Sequence, residues 1–339
     1  MKLTVIGAGS FGSALAEVAM RCEHEVLLWA HDPKVADAIR ESRSNPVYLP
    51  TAKFASNVSA TSSLAEAAAF SDTVLTVVPS HHYREVLRQF ATHLADRKVR
   101  VISGTKGIET ESLKRVSEMT SEVLGDRLLA FGSISGPTFA AEMSREDPTT
   151  AVIASQDAEF AAEVQSSLSN RTFRMYRSTD VVGVELSGSL KNVIAIAAGV
   201  VEGVGFGSNT TAALITRGLH EIRRLGSALG GQPETFAGLA GMGDLVLTCT
   251  GSLSRNRAVG VELGQGKSLT EILNETRRIA EGVKTCKAAK QLSDRHGIEM
   301  PIISEMYRLL YEDEAPRAAI QRLMTRALKS EVERSAANA

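Results

Sequence analysis

The stretch LTVIGAGSFGSALAEVAMR, residues 3–21, decides the fold of this chain. It starts with a β-branched run, continues into a GxGxxG turn and then repeats apolar residues at helical spacing, which predicts a strand, a tight turn and a helix. Gly7 permits the turn, Gly9 leaves room for a pyrophosphate, and Gly12 lets the helix pack closely on the strand. Because a helix N-terminus attracts anions, we predict a dinucleotide site. The alternative is a structural turn that binds nothing.

Composition narrows the class of protein. The chain has 339 residues, enough for two ordinary domains, and 43% of them are apolar, which is typical of a globular protein. A net charge of −1 argues against a nucleic-acid partner and against a polybasic membrane patch. Three scattered cysteines, Cys22, Cys249 and Cys286, indicate a reducing compartment and no metal site.

The hydropathy pattern bears on localisation. The glycine turn interrupts the first apolar run, so the pattern differs from that of a signal peptide. The longest weakly polar run, residues 193–201, is too short to cross a bilayer. We therefore expect a cytoplasmic protein with no membrane insertion.

The first half of the chain alternates strand and helix patterns. Strand-like runs occupy residues 25–29, 73–78, 99–103, 128–133, 149–154 and 172–176. Because helical patterns separate most of these runs, we predict an α/β Rossmann-type domain over residues 1–179, with a doubly wound and mostly parallel sheet. In open sheets of this kind, ligands bind at the carboxyl ends of the strands.

The second half of the chain, residues 180–339, has a helical pattern and predicts an all-α domain. Helices are predicted over residues 181–201, 211–229, 234–239, 269–274, 285–295 and 303–312. A helical domain that lies over the carboxyl edge of the sheet would exclude water from the ligand crevice.

Lys191 is the first candidate for catalysis. On a helix, Ser187, Gly188, Ile194 and Ala195 share its face. A lysine against such small and apolar neighbours is desolvated, its pKa falls, and it suits proton transfer. The alternative is a snorkelling lysine at a helix end, whose charge stays in water.

A second group of candidates lies in the helical half. Asp244 ends a Gly-Met-Gly-Asp run, and glycines beside an acid in a helical region indicate a special backbone position. Further on, Ser254, Arg255 and Asn256 offer a hydroxyl, a planar guanidinium and an amide, which suit a phosphate or a carboxylate. The alternative is a helix that Ser254 caps, with arginines in solvent.

Lys106 is a candidate because of its position after a predicted strand. It lies between Gly104 and Gly107, where this architecture places ligands, and it could contact a phosphate or a substrate oxygen. An ordinary charged loop is the alternative. His81 and His82 also follow a strand, but no cysteine or carboxylate cluster accompanies them, so we predict no metal there.

Together these segments resemble the bacterial NAD(P)-dependent glycerol-3-phosphate dehydrogenases. The resemblance is carried by GAGSFGSALA, LWAHDP, NPVYLP, VVPS, TKGIE, ISGPTFAAE, GVELSGSLKNVIAIAAG, TAALITRGLHEIRRLG, GLAGMGDLVLTCT, SRNR and AEGVKT. It implies a Rossmann-type domain followed by a helical domain like the C-terminal domain of 6-phosphogluconate dehydrogenase. It also implies reversible reduction of dihydroxyacetone phosphate to sn-glycerol 3-phosphate with NADPH or NADH, a role in phospholipid synthesis, and a homodimer.

The resemblance implies roles for individual residues. Lys191 would exchange a proton with the substrate C2 oxygen, Lys106 would be a second lysine shared by substrate and nicotinamide, and Asp244 would polarise both. The implied substrate contacts are Lys106, Gly136, Thr138, Lys191, Asp244, Ser254, Arg255 and Asn256. The implied coenzyme contacts are Ser10, Phe11, His31, Lys106, Ala140, Arg255, Ile279 and Glu281.

Position 31 bears on the coenzyme preference. The family often has arginine at this position, and this chain has His31. Histidine can donate a hydrogen bond to a 2′-phosphate without demanding one as strongly. Asp32 lies near the distance at which NAD sites place a ribose-binding carboxylate, yet with Pro33 after it, it could instead cap a helix. We predict use of both coenzymes with NADPH preferred.

Two alternatives to this function remain open. A related two-domain dehydrogenase, such as a 6-phosphogluconate dehydrogenase, acts on another small phosphorylated or hydroxy-acid substrate and also uses a lysine of the second domain. Arg255 and the doubled lysine favour glycerol phosphate. A silent NAD(P)-binding sensor is the other class, and the set of Lys106, Lys191 and Asp244 argues against it.

Overall fold

A computed structural model describes residues 1–275 and 280–331 and shows one eight-stranded sheet in the N-terminal half. The strands are β1 (Lys2–Ile6), β2 (Glu25–Trp29), β3 (Val58–Thr61), β4 (Thr73–Thr76), β5 (Val99–Ser103), β6 (Leu128–Ser135), β7 (Thr149–Ala154) and β8 (Phe173–Ser178). Their order is β3-β2-β1-β4-β5-β6-β7-β8, and every neighbouring pair is parallel except β6–β7. The order reverses between β1 and β4, so the ligand crevice is expected outside their carboxyl ends.

Helices cover both faces of the sheet. They are α1 (Ser10–Arg21), α2 (Pro33–Ser42), α3 (Leu64–Phe70), α4 (Ser80–Thr92), α5 (Val116–Leu124), α6 (Ala140–Ser144) and α7 (Ala158–Leu168). Leu3 and Val5 of β1 pack into a core that includes α1, α2 and α7, whereas Ile6 packs into a second core with α3, α4 and α5. This alternation follows from the two-residue period of a strand that is buried on both faces.

After β8 the described chain is helical and contains no further strand. The helices are α8 (Val181–Gly203), α9 (Ser208–Ala228), α10 (Pro233–Ala237), α11 (Asp244–Thr250), α12 (Arg255–Gly264), α13 (Leu269–Glu275), α14 (Glu281–Arg295), α15 (Pro301–Tyr311) and α16 (Pro316–Met324), with a π-helical turn at Leu239–Gly243. The predicted Rossmann-type fold followed by a helical domain is therefore confirmed.

Helix α8 is the centre of the helical domain. It crosses α12 so closely that a Cβ on Gly260 would overlap the carbonyl of Ile196, and a Cβ on Gly264 would lie 2.9 Å from the Cα of Gly203. Glycines at the crossing thus let the two backbones touch. The continuous helix is much longer than residues 193–201. Within the described residues α8 is the one helix that is long and apolar enough to cross a membrane, but 94% of its most apolar 18-residue segment is buried inside the protein.

Candidate active site

The glycine turn after β1 has the geometry that its sequence predicts. Gly7 has a φ of +121°, and a Cβ there would overlap the carbonyl of Val77. A Cβ on Gly12 would overlap the carbonyl of Gly7, so α1 packs directly on the turn. At Gly9, by contrast, no described atom lies within 4 Å of the Cβ position. The start of α1 therefore faces an open space of the kind that a pyrophosphate fills.

A proline-bounded loop is anchored beside this turn. The side-chain amide of Asn45 is buried and donates to the carbonyl of Ala8 and to the hydroxyl of Ser13, both at 2.8 Å. Ser10, the first residue of α1, donates its hydroxyl to the carbonyl of Tyr48 at 2.6 Å. Ser10 thus lies at the crevice, where the resemblance to the family implies a coenzyme contact.

Lys106, Asp244 and Lys191 come together at the carboxyl edge of the sheet. Asp244 begins α11, and its two carboxylate oxygens divide the lysines between them. Lys106 donates to Oδ2 at 2.8 Å, and Lys191 donates to Oδ1. Asp244 is 1% exposed and Lys191 is 5% exposed, whereas Lys106 is partly open to the crevice. Lys191 lies inside α8 rather than at its end, so it is not a snorkelling lysine.

Burial and the charge of Asp244 act in opposite directions on Lys191. Burial, together with the charge of Lys106, outweighs the neighbouring Asp244 and lowers the pKa of Lys191 to about 7. Burial by itself would raise the pKa of Asp244, but Lys106 and Lys191 outweigh it and the pKa is lowered. Asp244 therefore stays ionised, and Lys191 is poised between its charged and neutral forms near neutral pH.

Two hydroxyl residues that the sequence analysis missed complete the cluster. Thr248, one turn after Asp244 on α11, donates its hydroxyl to the Asp244 carbonyl at 2.6 Å and accepts from Lys191 Nζ at 2.7 Å. Ser135, the last residue of β6, donates to Asp244 Oδ2 at 3.3 Å. The i,i+4 spacing from Asp244 is the sequence signal that could have indicated Thr248.

The face of α8 predicted to be small is what brings the two lysines together. A Cβ on Gly188 would lie 2.8 Å from the hydroxyl of Ser135 and 3.7 Å from Cγ of Lys106. A larger residue there would push the Lys106 loop away from α8. The ammonium of Lys106 also lies 5.5 Å from the ring centroid of Phe11, within range of a cation–π interaction.

The Ser254–Arg255–Asn256 segment begins α12. Ser254 is buried and caps the helix, accepting the backbone N–H of Arg257 at 3.2 Å. Asn256 donates to Oδ1 of Asn192 at 3.1 Å and accepts the backbone N–H of Gly282 at 2.9 Å. Arg255 is exposed, and its charge acts on Glu281. The helix-cap alternative therefore describes Ser254 correctly, and Arg255 is exposed at the start of the helix that Ser254 caps.

The remaining predicted contacts lie on loops at the sheet edge. Gly136 follows β6 with a φ of +147°, and its carbonyl accepts the buried hydroxyl of Thr138 at 3.0 Å. Ala140 is the first residue of α6 and is partly buried. Glu281 is the first residue of α14 and accepts the hydroxyl of Ser80 at 2.8 Å. Ile279 lies outside the described residues.

His31 and Asp32 have different environments after β2. His31 is exposed, and its ring lies 6.0 Å from that of Trp29 in an edge-to-face arrangement. Asp32 caps α2, accepting the backbone N–H of Lys34 at 2.9 Å, with Pro33 at the first helical position. One side-chain oxygen of Asp32 is thus already used by the helix.

The pair His81 and His82 stands apart from any metal-binding arrangement. Their rings lie 4.0 Å apart, and burial, with Lys284 and His82 nearby, lowers the pKa of His81 to about 4. Within residues 1–275 and 280–331, His, Cys, Asp and Glu side chains form no group of three or more that could hold a metal ion.

A Rossmann-type sheet whose crevice is faced by a helical domain carrying a buried Lys–Asp pair defines the chain as a two-domain NAD(P)-dependent oxidoreductase. The sequence model of the NAD-dependent glycerol-3-phosphate dehydrogenase N-terminus matches residues 2–161, and that of the C-terminus matches residues 180–321. The chain belongs to the NAD-dependent glycerol-3-phosphate dehydrogenase family. The predicted family and its NAD(P) coenzyme are thereby confirmed.

Individual relatives agree with this assignment. The glycerol-3-phosphate dehydrogenase [NAD(P)+] of Citrifermentans bemidjiense is 50% identical over 331 residues, 97% of this chain and 98% of that protein. The enzyme of the same name from Syntrophotalea carbinolica is 49% identical over 98% of this chain and 100% of its own. The crystal structure of glycerol-3-phosphate dehydrogenase from Coxiella burnetii has a TM-score of 0.92 at 38% identity and covers 96% of this chain and 99% of that one.

Proposed function

We propose that this chain reduces dihydroxyacetone phosphate to sn-glycerol 3-phosphate, reversibly, with NADPH or NADH. The observation that carries the proposal is the sharing of one buried carboxylate, Asp244, by Lys191 and Lys106 at the carboxyl edge of the sheet. A ketone reduction needs a proton donor at the oxygen and positive charge around the developing alkoxide, and this cluster provides both.

The bound coenzyme supplies the hydride, and the chain supplies the proton. Lys191, with its pKa lowered by burial to about 7, gives a proton to the C2 oxygen during reduction and removes it during oxidation. Lys106 stays closer to solvent and stabilises negative charge on the same oxygen. Asp244 and Thr248 hold the Lys191 ammonium in place, so that the proton travels a short and fixed path.

Arg255 is the proposed phosphate anchor. A guanidinium offers paired donors to a phosphate, and Arg255 stands at the start of α12 beside Ser254 and Asn256. Gly136 and Thr138 are proposed to hold the rest of the substrate from the opposite side of the crevice. Binding energy spent on the phosphate would orient the carbonyl toward Lys191.

The proposed coenzyme contacts are spread along the crevice. Gly9 supports this assignment, because the space above it suits a pyrophosphate. The contacts are Ser10, Phe11, His31, Lys106, Ala140, Arg255, Ile279 and Glu281. His31 is proposed to favour NADPH over NADH, since it is exposed where a 2′-phosphate would lie and Asp32 is engaged in capping α2.

We further propose a domain boundary between residues 179 and 180, which falls between the end of β8 at Ser178 and the start of α8 at Val181.

In its cellular role the enzyme is proposed to act in the cytoplasm as a homodimer, without nucleic acid and without insertion into a membrane, and to supply glycerol phosphate for phospholipid synthesis. The burial of α8 supports the absence of membrane insertion.

The test of this function is direct. Purified protein is mixed with dihydroxyacetone phosphate and NADPH, and the absorbance of the reduced nicotinamide is followed. We expect rapid oxidation of NADPH that depends on the substrate. Turnover of 6-phosphogluconate with NADP instead would favour the related dehydrogenase, and NADPH binding with no turnover of either compound would favour a silent sensor.

A further inference from the structure

Two helices of the α/β domain begin against glutamates of the helical domain. α4 begins at Ser80, whose hydroxyl donates to Oε2 of Glu281 at 2.8 Å and whose backbone N–H also bonds to Glu281. Near the start of α5, Ser117 donates its backbone N–H and its hydroxyl to Glu185, at 2.7 and 2.6 Å. In both places a carboxylate from one domain satisfies the unpaired N–H groups of a helix in the other.

Ser80 has little freedom to move away from Glu281. Its residue is 3% exposed, and it packs against the loop that carries Lys106. A Cβ on Gly107, which has a φ of +153°, would overlap the Ser80 side chain and lie 3.4 Å from Oε2 of Glu281. The backbone of the Lys106 loop therefore holds the Ser80 hydroxyl against the carboxylate.

The two glutamates differ in the cations that face them. Glu185 accepts from Arg115 of the α/β domain, at 2.7 Å. The positive charges that act on Glu281 are instead those of Arg255 and Lys284, both in the helical domain. The start of α14 is also tied to the start of α12, because Gly282 donates its N–H to Asn256 at 2.9 Å. A displacement of Glu281 would therefore also move the segment that carries Arg255, because this hydrogen bond joins the starts of the two helices.

The charge of Glu281 depends on these contacts. Burial raises the pKa of this carboxyl, while the hydroxyl and the backbone N–H of Ser80, and then Arg255 and Lys284, lower it. Loss of the Ser80 hydroxyl would raise the pKa of Glu281 and so favour its protonated form. It would also leave the Glu281 carboxylate free to change its orientation.

We infer that Ser80 is a positioning residue for coenzyme binding, which acts by holding Glu281 beside Arg255. The inference rests on the coenzyme roles proposed above for Glu281 and Arg255. Ser80 acts through Glu281, and the hydrogen bonds that hold Lys106, Asp244 and Lys191 together do not involve it. Its loss should therefore weaken coenzyme binding and leave the chemical step largely intact.

A double-mutant cycle tests this coupling. Titration calorimetry gives the Kd of NADPH for the wild-type chain, Ser80→Ala, Glu281→Gln and the double variant. A hydrogen bond to a charged group predicts a Kd that is roughly tenfold higher for Ser80→Ala. In the double variant Ser80→Ala should add less than about twofold, since it has lost the partner through which it acts. In Ser80→Ala, kcat at saturating NADPH and dihydroxyacetone phosphate should change by less than about threefold.

Ser117→Ala is the matched control, because it removes the same kind of hydroxyl from the other helix start. It should lower the thermal midpoint and leave the Kd of NADPH unchanged. Ser80→Cys, whose thiol is slightly larger than the hydroxyl and donates a weaker hydrogen bond, should give an intermediate Kd, and it replaces Ser80→Ala in the cycle if that variant does not fold. An unchanged Kd in the Ser80 variants, independent losses in the double variant, or an equal loss in Ser117→Ala would overturn the inference. Failure of the wild-type chain to turn over dihydroxyacetone phosphate would count only against the proposed function, because the Kd measurements of the cycle use no substrate.

Discussion

Asp244 and Glu185 are both buried carboxylates that join the α/β domain to the helical domain, and their pKa values move in opposite directions. Asp244 lies between two lysines, one from each domain, which lower its pKa although burial acts to raise it. Glu185 faces one arginine, and burial raises its pKa despite Arg115 and Ser117. The carboxylate of the candidate active site thus has two facing cations and a lowered pKa, whereas the carboxylate that links two helices has one cation and a raised pKa.

The difference also fixes how each carboxylate affects stability. The folded chain binds the Asp244 proton less tightly than the unfolded chain does, so Asp244 contributes stability above its ordinary pKa of 3.8 that is lost as the pH falls. Glu185 behaves in the reverse way. Because its pKa is raised above 4.5, the stability that it contributes declines as the pH rises beyond that value.

Removal of Lys191 breaks the comparison most severely. Lys191→Ala takes the proposed acid out of the cluster and leaves Asp244 with Lys106. General acid catalysis is typically worth roughly 10²–10⁴-fold, so kcat for dihydroxyacetone phosphate should fall by that factor. NADPH binding, measured by titration, should survive because the glycine turn is untouched. A purified variant with a near-normal rate would show that the proton comes from elsewhere.

Arg255→Ala asks whether the active site needs a cation for the substrate phosphate in addition to the two lysines that share Asp244. Loss of a charged hydrogen bond to phosphate should lower kcat/KM by roughly 10–100-fold, with a fall in kcat along with a rise in KM. Steady-state kinetics with dihydroxyacetone phosphate provide the measurement. Arg257→Ala, which removes the neighbouring arginine that pairs with Glu202, is the control and should have little effect. Unchanged kcat and KM in Arg255→Ala would place the anchor elsewhere.

The pH dependence of the reaction sharpens the comparison without a large change in structure. Since the pKa of Lys191 is lowered to about 7, reduction should slow above that pH as the donor loses its proton, and oxidation should speed up. The slope should approach about tenfold per pH unit. Asp244→Asn should move the reduction profile to lower pH, because the carboxylate raises the pKa of Lys191. A rate profile that is flat from about pH 6 to about pH 9, a range that includes the Lys191 pKa of about 7, would contradict the assignment.

Arg115→Ala tests the structural carboxylate. Glu185 would keep Ser117 but lose its cation, and a buried charge deprived of one partner costs about 1–3 kcal/mol. The loss in thermal midpoint should be larger at about pH 8 than at about pH 5, because protonation of Glu185 at the lower pH removes the unpaired charge. Glu118→Ala, which removes the exposed partner of Arg115 and its hydrogen bond from the Arg115 backbone N–H, is the control; it should cost about 1 kcal/mol, with a similar loss at both pH values. A large loss of kcat in Arg115→Ala would show that the two carboxylates do not differ in role.

His31 should have the smallest effect, since it lies outside both carboxylate clusters. We expect both coenzymes to be used and NADPH to be preferred severalfold, because the exposed imidazole can donate a hydrogen bond to a 2′-phosphate. The measurement is kcat/KM for NADPH and NADH, repeated for His31→Ala, which should lose the preference. A strong NADH preference of the wild-type chain would show that Asp32 governs the pocket.

The strands show where sequence patterns suffice. The bounds predicted for β2, β5 and β7 agree with the structure, because each is a run with large apolar residues that is buried between helix layers. β3 (Val58–Thr61) was not predicted. Its sequence VSAT has one large apolar residue, and it pairs only with β2 at the edge of the sheet. Its neighbour, rather than its own side chains, makes it a strand.

The helices show the same limit from the other side. α12 (Arg255–Gly264) was predicted only as a start capped by Ser254, because two glycines lower the helix propensity of RNRAVGVELG. Those glycines are there because α8 crosses so closely that a side chain at Gly260 would overlap the carbonyl of Ile196. Packing between helices outweighs the local preference.

By itself the sequence determined the alternation of strands and helices in the first half and the helical character of the second, the glycine turn, the small-residue face of Lys191 and the family. These features depend on neighbours within a turn or two of chain, so a local pattern records them. Only the tertiary structure decided that Lys106 and Lys191 share Asp244, across separations of 138 and 53 residues, and that Thr248 accepts a hydrogen bond from Lys191. It also decided that Asp244 is lowered in pKa and Glu185 raised, because burial and the number of facing cations exist only after the two domains have packed together.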